Sequence, residues 1–534
     1  MSPQGQTEKA TGTSYESTIK TLIHTQRGAF SDLDYHPAFR ASAIFYAEVN
    51  EQRTTHVGFL NYWREKNGVP SVGALLSLRD AAGELRGRQY FKVEQFSYQI
   101  DVRDLVEVAD NPGASFIGTI EVEIFSNEDL KFAFPALFVF YETARGISYV
   151  HTNQRIYNDP LDRRRGDPFN RRQTGFDVHC QNGTKPFVFV INGSEPVPDA
   201  TADVTLFNQI GRKMTRRVAL GDLPPFAARR LAIDEIEGVS TFLGEDIGFL
   251  KLELPLGNIF NRFTCGTESK SGDWIGITHS YFDCLEHGDY YGSSAFGPDV
   301  HPCFVPVNLI EGFETEVIFY PIMAPANLRM RLACFEPDGR PRATIKLPGP
   351  FETSGSIQFR IDLRSVLAKH GVRATSGLYA ILIESEDGRI PTRISFGLNY
   401  HSSGRPGCNI SSSVLMASSH GVRSRSWLWG AMPCRPGARN IIMVSHMPKE
   451  KEAAEHAPFS IRIYNENGNI CSLEYEIAPR TGLNIDSEEV LENAGYKPTD
   501  DEILWYVIRS ESSSLISNQI YISADGYVGG DHSF

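Results

Sequence analysis

The stretch Asp80-Ala-Ala-Gly83 is the first of four short turns that recur along this chain. It returns as Asn208-Gln-Ile-Gly211, as Glu336-Pro-Asp-Gly339 and as Asn465-Glu-Asn-Gly468. The four glycines are 128, 128 and 129 residues apart. A period of this length is that of a whole domain rather than of a short solenoid unit. The sequence therefore predicts four copies of one module.

A second motif, Ile-Asp, recurs in step with the turn. Its aspartates are Asp101, Asp234, Asp362 and Asp486. An aspartate at the start of a helical turn accepts hydrogen bonds from the free backbone N–H groups there. We expect each of the four carboxylates to cap one short helix, which is a structural role rather than a catalytic one.

Between these marks each module carries seven or eight short apolar segments. Ser115-Phe-Ile-Gly-Thr-Ile-Glu-Val-Glu-Ile124 shows the alternation of a half-buried strand. Many short strands bounded by turn signals are typical of an immunoglobulin-like β-sandwich, although the Cys…Trp…Cys spacing of antibody domains is absent. The predicted fold is all-β, with four tandem immunoglobulin-like β-sandwich modules and long loops between them.

The predicted boundaries follow from this register. They are a mobile N-terminal arm at 1–30, module 1 at 31–155, an Arg-rich linker at 156–184, module 2 at 185–282, a His/Cys/Tyr-rich insert at 283–306, module 3 at 307–403, a Ser/Arg/Trp linker at 404–437 and module 4 at 438–534.

Composition excludes some classes of function. A net charge of −13 lacks the basic footprint that general nucleic-acid binding needs. No run of 18 apolar residues predicts a membrane span, and the polar first 20 residues lack the apolar core of a secretory signal. The eight cysteines form no CxxC pair, so we expect reduced thiols and a cytoplasmic location.

The Arg-rich linker is the first candidate binding segment. Arginine forks bind carboxylates or phosphates bidentately, so this loop predicts contact with an anion or an acidic partner. The alternative is pairing with Asp159, Asp162 and Asp167 of the same loop. The arginines concerned are Arg163, Arg164, Arg165, Arg171 and Arg172.

The insert after module 2 is the densest group of metal-ligand residue types in the sequence. Imidazole, carboxylate and thiolate side chains here would suit Zn or Fe, although the spacing matches no known signature. The alternatives are an aromatic-lined groove that includes Tyr290 and Tyr291, or plain packing between modules. The candidate ligands are His279, Asp283, His287 and His301.

The linker before module 4 carries Trp427 and Trp429 beside Arg423 and Arg425. Such a pair predicts a stacking platform for a sugar or a base. The same Trp-Leu-Trp segment equally fits a strand packed between modules 3 and 4.

Three modules end a strand in histidine, at His151, His279 and His401, and the chain closes with a looser echo at His532. The simplest interpretation is that these residues satisfy backbone groups where one sandwich meets the next. A shared site would require the modules to fold back so that the histidines converge.

No hydrolase elbow, P-loop, dinucleotide fingerprint or HExxH motif is present. The sequence therefore predicts a non-catalytic scaffold or binding protein, without a cofactor, that presents its inter-module loops to a protein or glycan partner. Exposed sheet edges predict homo-oligomerisation. The alternatives are a metal-dependent enzyme acting on a sugar or small acid around the module 2 insert, and a lectin-like carbohydrate-binding protein.

Overall fold

A computed structural model describes the chain from residue 39 to residue 534, with internal gaps. The residues outside the description are 1–38, 110–114, 153, 158–172, 181–182, 245, 284–289, 291–302, 323, 350, 354–358, 387, 392–393, 403–404, 414, 417–424 and 449–454. The predicted N-terminal arm at 1–30 therefore lies outside the described residues.

The described residues form an all-β structure, as predicted. Their strands assemble into nine sheets in which all strand pairs are antiparallel. Buried apolar side chains from paired sheets share one core, so the architecture is that of several β-sandwiches. No helix among the described residues is both long enough and apolar enough to span a membrane.

The first two sheets come from residues 39–151. Their orders are β1-β6-β3-β4 and β5-β2-β7-β8. The strands are β1 Phe39–Val49, β2 Arg53–Leu60, β3 Gly73–Asp80, β4 Leu85–Lys92, β5 Ser97–Asp101, β6 Phe116–Ser126, β7 Phe138–Thr143 and β8 Gly146–His151.

The next two large sheets come from residues 173–283, with orders β13-β12-β15-β10-β19 and β14-β11-β17-β18, and β9 pairs with β16 in a small extra sheet. The strands are β9 Arg155–Ile156, β10 Gln173–His179, β11 Lys185–Ile191, β12 Val197–Phe207, β13 Lys213–Leu223, β14 Ala228–Ala232, β15 Ile247–Glu253, β16 Ile259–Phe260, β17 Thr264–Glu268, β18 Ile275–His279 and β19 Phe282–Asp283.

Residues 303–416 form the sheets β23-β22-β26-β20-β29, with β24 also on β22, and β25-β21-β27-β28. The strands are β20 Cys303–Leu309, β21 Glu314–Phe319, β22 Ala326–Phe335, β23 Pro341–Lys346, β24 Phe351–Thr353, β25 Phe359–Asp362, β26 Gly377–Ser385, β27 Ser395–His401, β28 Cys408–Ser413 and β29 Leu415–Met416.

Residues 426–532 form the sheets β30-β35-β32-β33 and β34-β31-β36-β37. The strands are β30 Ser426–Pro433, β31 Arg439–His446, β32 Ala457–Asn465, β33 Gly468–Ile477, β34 Thr481–Asp486, β35 Ile503–Ser510, β36 Leu515–Ile522 and β37 Val528–His532. Short helices lie between strands at α1 Tyr62–Glu65, α2 Val102–Ala109, α3 Val239–Leu243, α4 Leu363–Lys369 and α5 Ser487–Asn493.

The sheets formed by residues 173–283, 303–416 and 426–532 begin with β10, β20 and β30. All three strands start inside segments that were predicted to be linkers or an insert. In β10 the sequence lacks a clear strand pattern. Its buried Phe176 and Val178 alternate with Asp177 and with His179, so polar side chains break the apolar run. The strand is nevertheless held by pairing with β15 along its length.

The Ile-Asp prediction holds at three of its four positions. Asp362 and Asp486 cap α4 and α5 through their side chains, and Asp101 accepts from the N–H of Arg103 at the start of α2. Asp234 was predicted wrongly, because α3 starts five residues later with Gly238 at its N-cap and no side-chain cap bond. Burial raises the pKa of the Asp234 carboxyl.

The recurring turn is also a contact between sandwiches. Gly83 has φ +88°, and the carbonyl of Ala81 accepts a hydrogen bond from Ala228 N at 3.1 Å. The carbonyl of Glu466, in the last of these turns, likewise accepts from Phe96 N at 3.0 Å. The last sandwich along the chain is thereby tied to the first.

Gly339, in the third turn, combines a left-handed backbone with a close approach. Its φ is +80°, and a methyl group in place of its α-hydrogen would lie 1.8 Å from the carbonyl oxygen of Pro479. Glycine is the residue that tolerates both constraints. The glycine therefore allows residues 336–339 to lie against Pro479, in the sandwich formed by residues 426–532.

We expect Gly339→Ala to destabilise the protein more than Gly312→Ala does. Gly312 lies in the same sandwich with φ +82° but has open space around it. Alanine at Gly312 should cost about 1 kcal/mol for its left-handed backbone, and alanine at Gly339 should add roughly 1–3 kcal/mol for the clash. Urea unfolding of both variants measures the difference, and equal losses would show that the contact with Pro479 is unimportant.

Candidate functional site

Four edge strands pack against one another in a closed cycle. β8 contacts β18 and β37, and β28 contacts the same two strands. Each of the four is the last strand at one edge of its sheet. We call β8, β18, β28 and β37 the hub. An exposed edge offers unpaired backbone groups to other chains, and the hub covers four such edges with one another.

Side chains supply hydrogen bonds across the hub. Ser148 Oγ on β8 accepts from the N–H of Ile277 on β18 at 2.9 Å. Asp531 Oδ2 on β37 accepts from the N–H of His151 on β8 at 2.7 Å. Polar side chains thus join neighbouring edges where no regular ladder forms.

Three hub strands end in histidine, and their imidazoles converge. The ring centres of His151 and His279 are 4.9 Å apart, those of His151 and His532 are 4.4 Å apart, and those of His279 and His532 are 6.2 Å apart. One ligand atom from each of these rings and from Asp531 lies within 4.8 Å of the others. We call His151, His279, His532 and Asp531 the histidine centre.

Asp531 orients this centre. Its Oδ2 atom accepts from both the backbone N–H and Nδ1 of His151, each at 2.7 Å. Its Oδ1 atom accepts from the backbone N–H of His532 at 2.8 Å. The carboxylate is only 2% exposed, yet both of its oxygens are hydrogen-bonded.

His279 has a cationic neighbour. Its Nε2 atom lies 2.9 Å from Nη2 of Arg262, which is a donor, so Nε2 accepts from the guanidinium. The Arg262 guanidinium also lies 5.2 Å from the ring centre of Tyr281. A positive charge therefore sits at one side of the histidine centre.

Burial keeps the imidazoles of His151 and His279 neutral. Desolvation lowers the pKa of His151 to about 4, although Asp531 opposes the shift. Burial, and then the charge of Arg262, lower the pKa of His279 well below its ordinary value. Burial alone would raise the pKa of Asp531, but the charges that His151 and His532 carry when protonated, together with the hydrogen bonds from His151, leave this pKa below its usual range. At neutral pH the centre is thus an ionised carboxylate beside at least two neutral imidazoles.

A cavity of about 400 Å³ adjoins the centre at His532. Most of its lining residues are apolar, and the polar ones are Ser412, Ser517, Asn518, His532 and Ser533. The lining includes Pro306, Phe396, Leu398, Ile410, Ser412, Leu428, Leu515, Ile516, Ser517, Asn518, His532, Ser533 and Phe534.

A second, smaller cavity of about 120 Å³ lies where β10, β18 and the β27–β28 hairpin meet. Asp177 in its wall contacts His179 and accepts from Asn409 Nδ2 at 2.6 Å. Arg360 and His401 on the other side of this cavity share the carboxylate of Glu316. This cavity is polar but most of its charges are already paired.

His401 is not part of the histidine centre, so its predicted equivalence to the other three is wrong. It ends β27, which is the strand before the hub strand of its sheet, and its Nε2 atom lies 3.9 Å from Glu316. β28 holds the hub position instead and ends at Ser413. The histidine that recurs in the sequence therefore ends the hub strand in β8, β18 and β37, but in the sheet of residues 314–413 it ends the strand before the hub strand.

Of the metal ligands predicted in the module 2 insert, His279 joins the histidine centre. Asp283 lies in β19, and its side chain is not described. His287 and His301 lie outside the described residues. The partners that the structure gives His279 come instead from the ends of β8 and β37.

The two tryptophans that were predicted to form a stacking platform lie in different environments. Trp429 is 4% exposed and stacks on Tyr62 at 5.0 Å and on Phe534 at 5.2 Å, so it lies inside an interface. Trp427 is half-buried, with Lys66 5.2 Å from its ring centre.

Tyr290 is half-buried and donates through Oη to Pro325 O at 2.6 Å. The other predicted binding residues lie outside the described residues, namely Arg163, Arg164, Arg165, Arg171, Arg172 and Tyr291.

Sequence reasoning noted the recurring histidines but missed Asp531 and Arg262. Asp531 comes directly before His532, and this Asp-His pair was the available signal. Arg262 carries no motif and is identified by position alone. Chemically, the centre offers clustered imidazole nitrogens, a fixed carboxylate and an adjoining apolar space.

We expect the free energy of unfolding to fall as pH falls from about 6.5 to about 4. The unfolded chain protonates His151 and His279 near their ordinary pKa of 6.5, whereas the folded chain holds the pKa of His151 at about 4. The unfolded state therefore binds more protons in this window, and His151 alone contributes roughly 3 kcal/mol of lost stability across it. Asp531 has a lowered pKa, so its contribution is lost only at lower pH.

Urea unfolding at a series of pH values measures this loss. The curve of His151→Gln should be flatter than that of the wild type. His370→Gln removes an exposed imidazole and should keep the wild-type slope. A wild-type curve that stays flat between these pH values would contradict the expectation.

Comparison with known protein families gives no match, and comparison with curated proteins gives none. Among solved structures, an exo-chitosanase from Amycolatopsis orientalis is 14% identical over 45% of this chain and 26% of its own, with a TM-score of 0.11. Trypsin-activated alpha-2-macroglobulin from Escherichia coli is 8% identical over 92% of this chain and 30% of its own, also at 0.11. A family 32 glycoside hydrolase from Bifidobacterium adolescentis is 7% identical over 87% and 99%, at 0.13. The chain spans about a quarter of the chitosanase, and similarities this weak carry no argument about fold or function.

Proposed function

We propose that this protein is a non-catalytic binding protein of four immunoglobulin-like β-sandwich modules that close into a ring, with its binding site at the hub. The observation that carries the proposal is the closed cycle of β8, β18, β28 and β37, with a cavity beside the histidine centre. The ring would also hold the remaining loops in fixed positions for a protein or glycan partner.

Repeated sheet topology supports the count of four. Each of the ranges 39–151, 173–279, 303–413 and 426–532 contains eight strands when the short strands β9, β16, β19, β24 and β29 are left out. With these eight strands numbered 1 to 8 in chain order, one sheet of every range runs 5-2-7-8 and the other contains the order 1-6-3-4. The recurring turn joins strands 3 and 4 each time. Adjacent strands 2 and 5, and 3 and 6, correspond to the B–E and C–F neighbours of immunoglobulin-like sandwiches. Strand 1 pairs with strand 6, and strand 7 pairs with strand 2, which differs from the immunoglobulin strand order. The similarity is therefore limited to the central strands 2, 3, 5 and 6.

Contacts between the first and last modules support ring closure. Arg435 holds Glu142 through two hydrogen bonds of 2.7 Å, and Arg145 pairs with Asp525 at 3.0 Å. Phe96 stacks on Tyr464 with ring centres 5.7 Å apart. Polar and apolar contacts thus join parts of the chain that lie more than 290 residues apart.

The hub cavity has the character of a small-molecule site. Ligand pockets are concave, mostly apolar and about 300–1,000 Å³ in volume, with a few polar groups that fix orientation. The cavity of about 400 Å³ meets that description, since His532, Asn518 and Ser517 are among the polar groups in its wall. A compact ligand with an apolar body and one polar end fits this wall.

A metal-dependent enzyme is the second candidate, because His279 lies in the histidine centre. Its site would then be the hub rather than the insert after residue 283.

Small-angle X-ray scattering tests the ring. A compact chain of this length has a radius of gyration of roughly 24 Å. We expect a value near this one, whereas a linear row of four sandwiches would give a clearly larger value and an elongated distance distribution. The second result would contradict ring closure.

Binding of the apolar fluorophore 1-anilinonaphthalene-8-sulfonate tests the cavity. We expect saturable binding that Ser412→Phe weakens at least tenfold, because the added ring occupies the cavity. Ser460→Phe makes the same exchange at a half-buried serine outside the cavity and should bind as the wild type does. Equal binding by all three proteins would show that the fluorophore binds elsewhere.

A further inference from the structure

We propose that the histidine centre binds one divalent transition-metal ion, of the Zn(II) type, through Nε2 of His151, His279 and His532. This inference goes beyond the proposed function and does not depend on a ligand in the cavity. It rests on the hydrogen bonds that fix the three rings, on their convergence and on the ligand chemistry of imidazole.

The three rings carry their protons on the same nitrogen. Nδ1 of His151 faces Asp531 Oδ2 at 2.7 Å, Nδ1 of His279 faces the carbonyl of Ser280 at 3.1 Å, and Nδ1 of His532 faces the carbonyl of Ser533 at 3.1 Å. A carboxylate or carbonyl oxygen is an acceptor, so each Nδ1 must donate. Each Nε2 therefore bears the lone pair that a metal ion requires.

This pattern is that of metal-bound histidines. Such residues donate their second ring N–H to a carboxylate or a backbone carbonyl, which fixes both the tautomer and the ring orientation. In the histidine centre one partner is a carboxylate and two are carbonyls. Asp531 is hydrogen-bonded through both oxygens, so we assign it the role of orienting His151 rather than that of a ligand.

Two of the three lone pairs are free. Nε2 of His151 and Nε2 of His532 accept no hydrogen bond from any residue that the structure describes. Nε2 of His279 accepts from Arg262 Nη2 at 2.9 Å, so a metal ion must displace the guanidinium from this one position. Arg262 is thus a competitor for the metal, and its removal should strengthen binding.

The spacing of the ligand atoms suits a modest closure. One ring nitrogen from each of the three histidines and one carboxylate oxygen of Asp531 lie within 4.8 Å of one another. Zn–N bonds of about 2.0–2.1 Å in a tetrahedron place ligand nitrogens roughly 3.4 Å apart. Binding would draw the side chains together, which small rotations of His532 allow because this ring is only half-buried.

Ligand chemistry selects the class of ion. Imidazole suits Zn, Cu, Ni and Fe, whereas Mg and Ca require oxygen ligands. Three imidazoles leave a fourth position for water or for another ligand, as in open zinc sites. His532 lines the large cavity, so this imidazole links the metal position to that space.

The test is metal binding by the full chain after treatment with a chelator. We expect one Co(II) or Zn(II) ion per chain, with the visible absorption of cobalt bound to nitrogen ligands in a site of low coordination number. X-ray absorption of the zinc-loaded wild type should show imidazole scattering. Loss of metal after dialysis, sulfur ligation or ligation by oxygen alone would each overturn the proposal, and none of these measurements needs a variant to fold.

Variants then assign the ligands. His532→Gln should weaken cobalt binding at least a hundredfold and abolish its visible absorption, while Asp531→Asn should weaken binding about 10–100-fold. Arg262→Met should bind cobalt more tightly than the wild type. His401→Gln is the matched control, because this histidine also ends a strand but lies outside the centre, and it should bind as the wild type does. Unchanged affinity in a folded His532→Gln variant would overturn the assignment.

Discussion

The close packing of the four hub strands is the constraint on which the rest of the structure depends. Edge strands normally leave backbone groups unpaired, and the hub resolves this without a continuous ladder. β37 approaches β8 closely because Gly529 has no side chain, since a methyl group there would lie 2.5 Å from the carbonyl oxygen of Ile147. Ser148 and Asp531 then supply hydrogen bonds to backbone N–H groups across the gap. Small residues permit the approach, and polar side chains replace the hydrogen bonds that a regular sheet would have made.

The hub makes the sandwiches depend on one another. The bond between His151 and Asp531 joins residues 380 positions apart in the chain, and it forms only when the first and last sandwiches are both in place. Contacts of such long sequence separation require the loop between them to be closed first. The strand pairs lie within single sandwiches, but the largest apolar cluster continues from residues 41–277 to Trp505 and Tyr521 of the last sandwich. The histidine centre likewise exists only in the closed assembly. The chemistry of the centre is therefore a property of the whole chain and not of any one sandwich.

Much of the fold can be read from the sequence, because its markers obey local rules. A glycine with positive φ and an aspartate before a helical turn are local requirements, and the glycines at 83, 211 and 339 and the aspartates at 101, 362 and 486 satisfy them. Asp234 shares the motif, but its helix starts at another residue. His401 resembles the hub histidines in sequence, but the following hairpin carries the chain one strand further. Convergence of His151, His279 and His532 depends on the angles between sandwiches, and no local pattern encodes these angles.

The composition of the histidine centre is unusual for a purely structural junction. Elsewhere in the hub, apolar and hydroxyl side chains such as Val528, Ile277 and Ser411 fill the space between strands. Replacing a buried polar cluster by well-packed apolar residues is often neutral or stabilising, so hydrogen bonding to backbone groups does not by itself require three imidazoles. Asp531 alone satisfies the backbone N–H groups of His151 and His532, which leaves Nε2 of these two rings without a structural task. Convergent lone pairs of one tautomer, oriented by oxygen acceptors and bordered by a cavity, are what a ligand for those nitrogens would require.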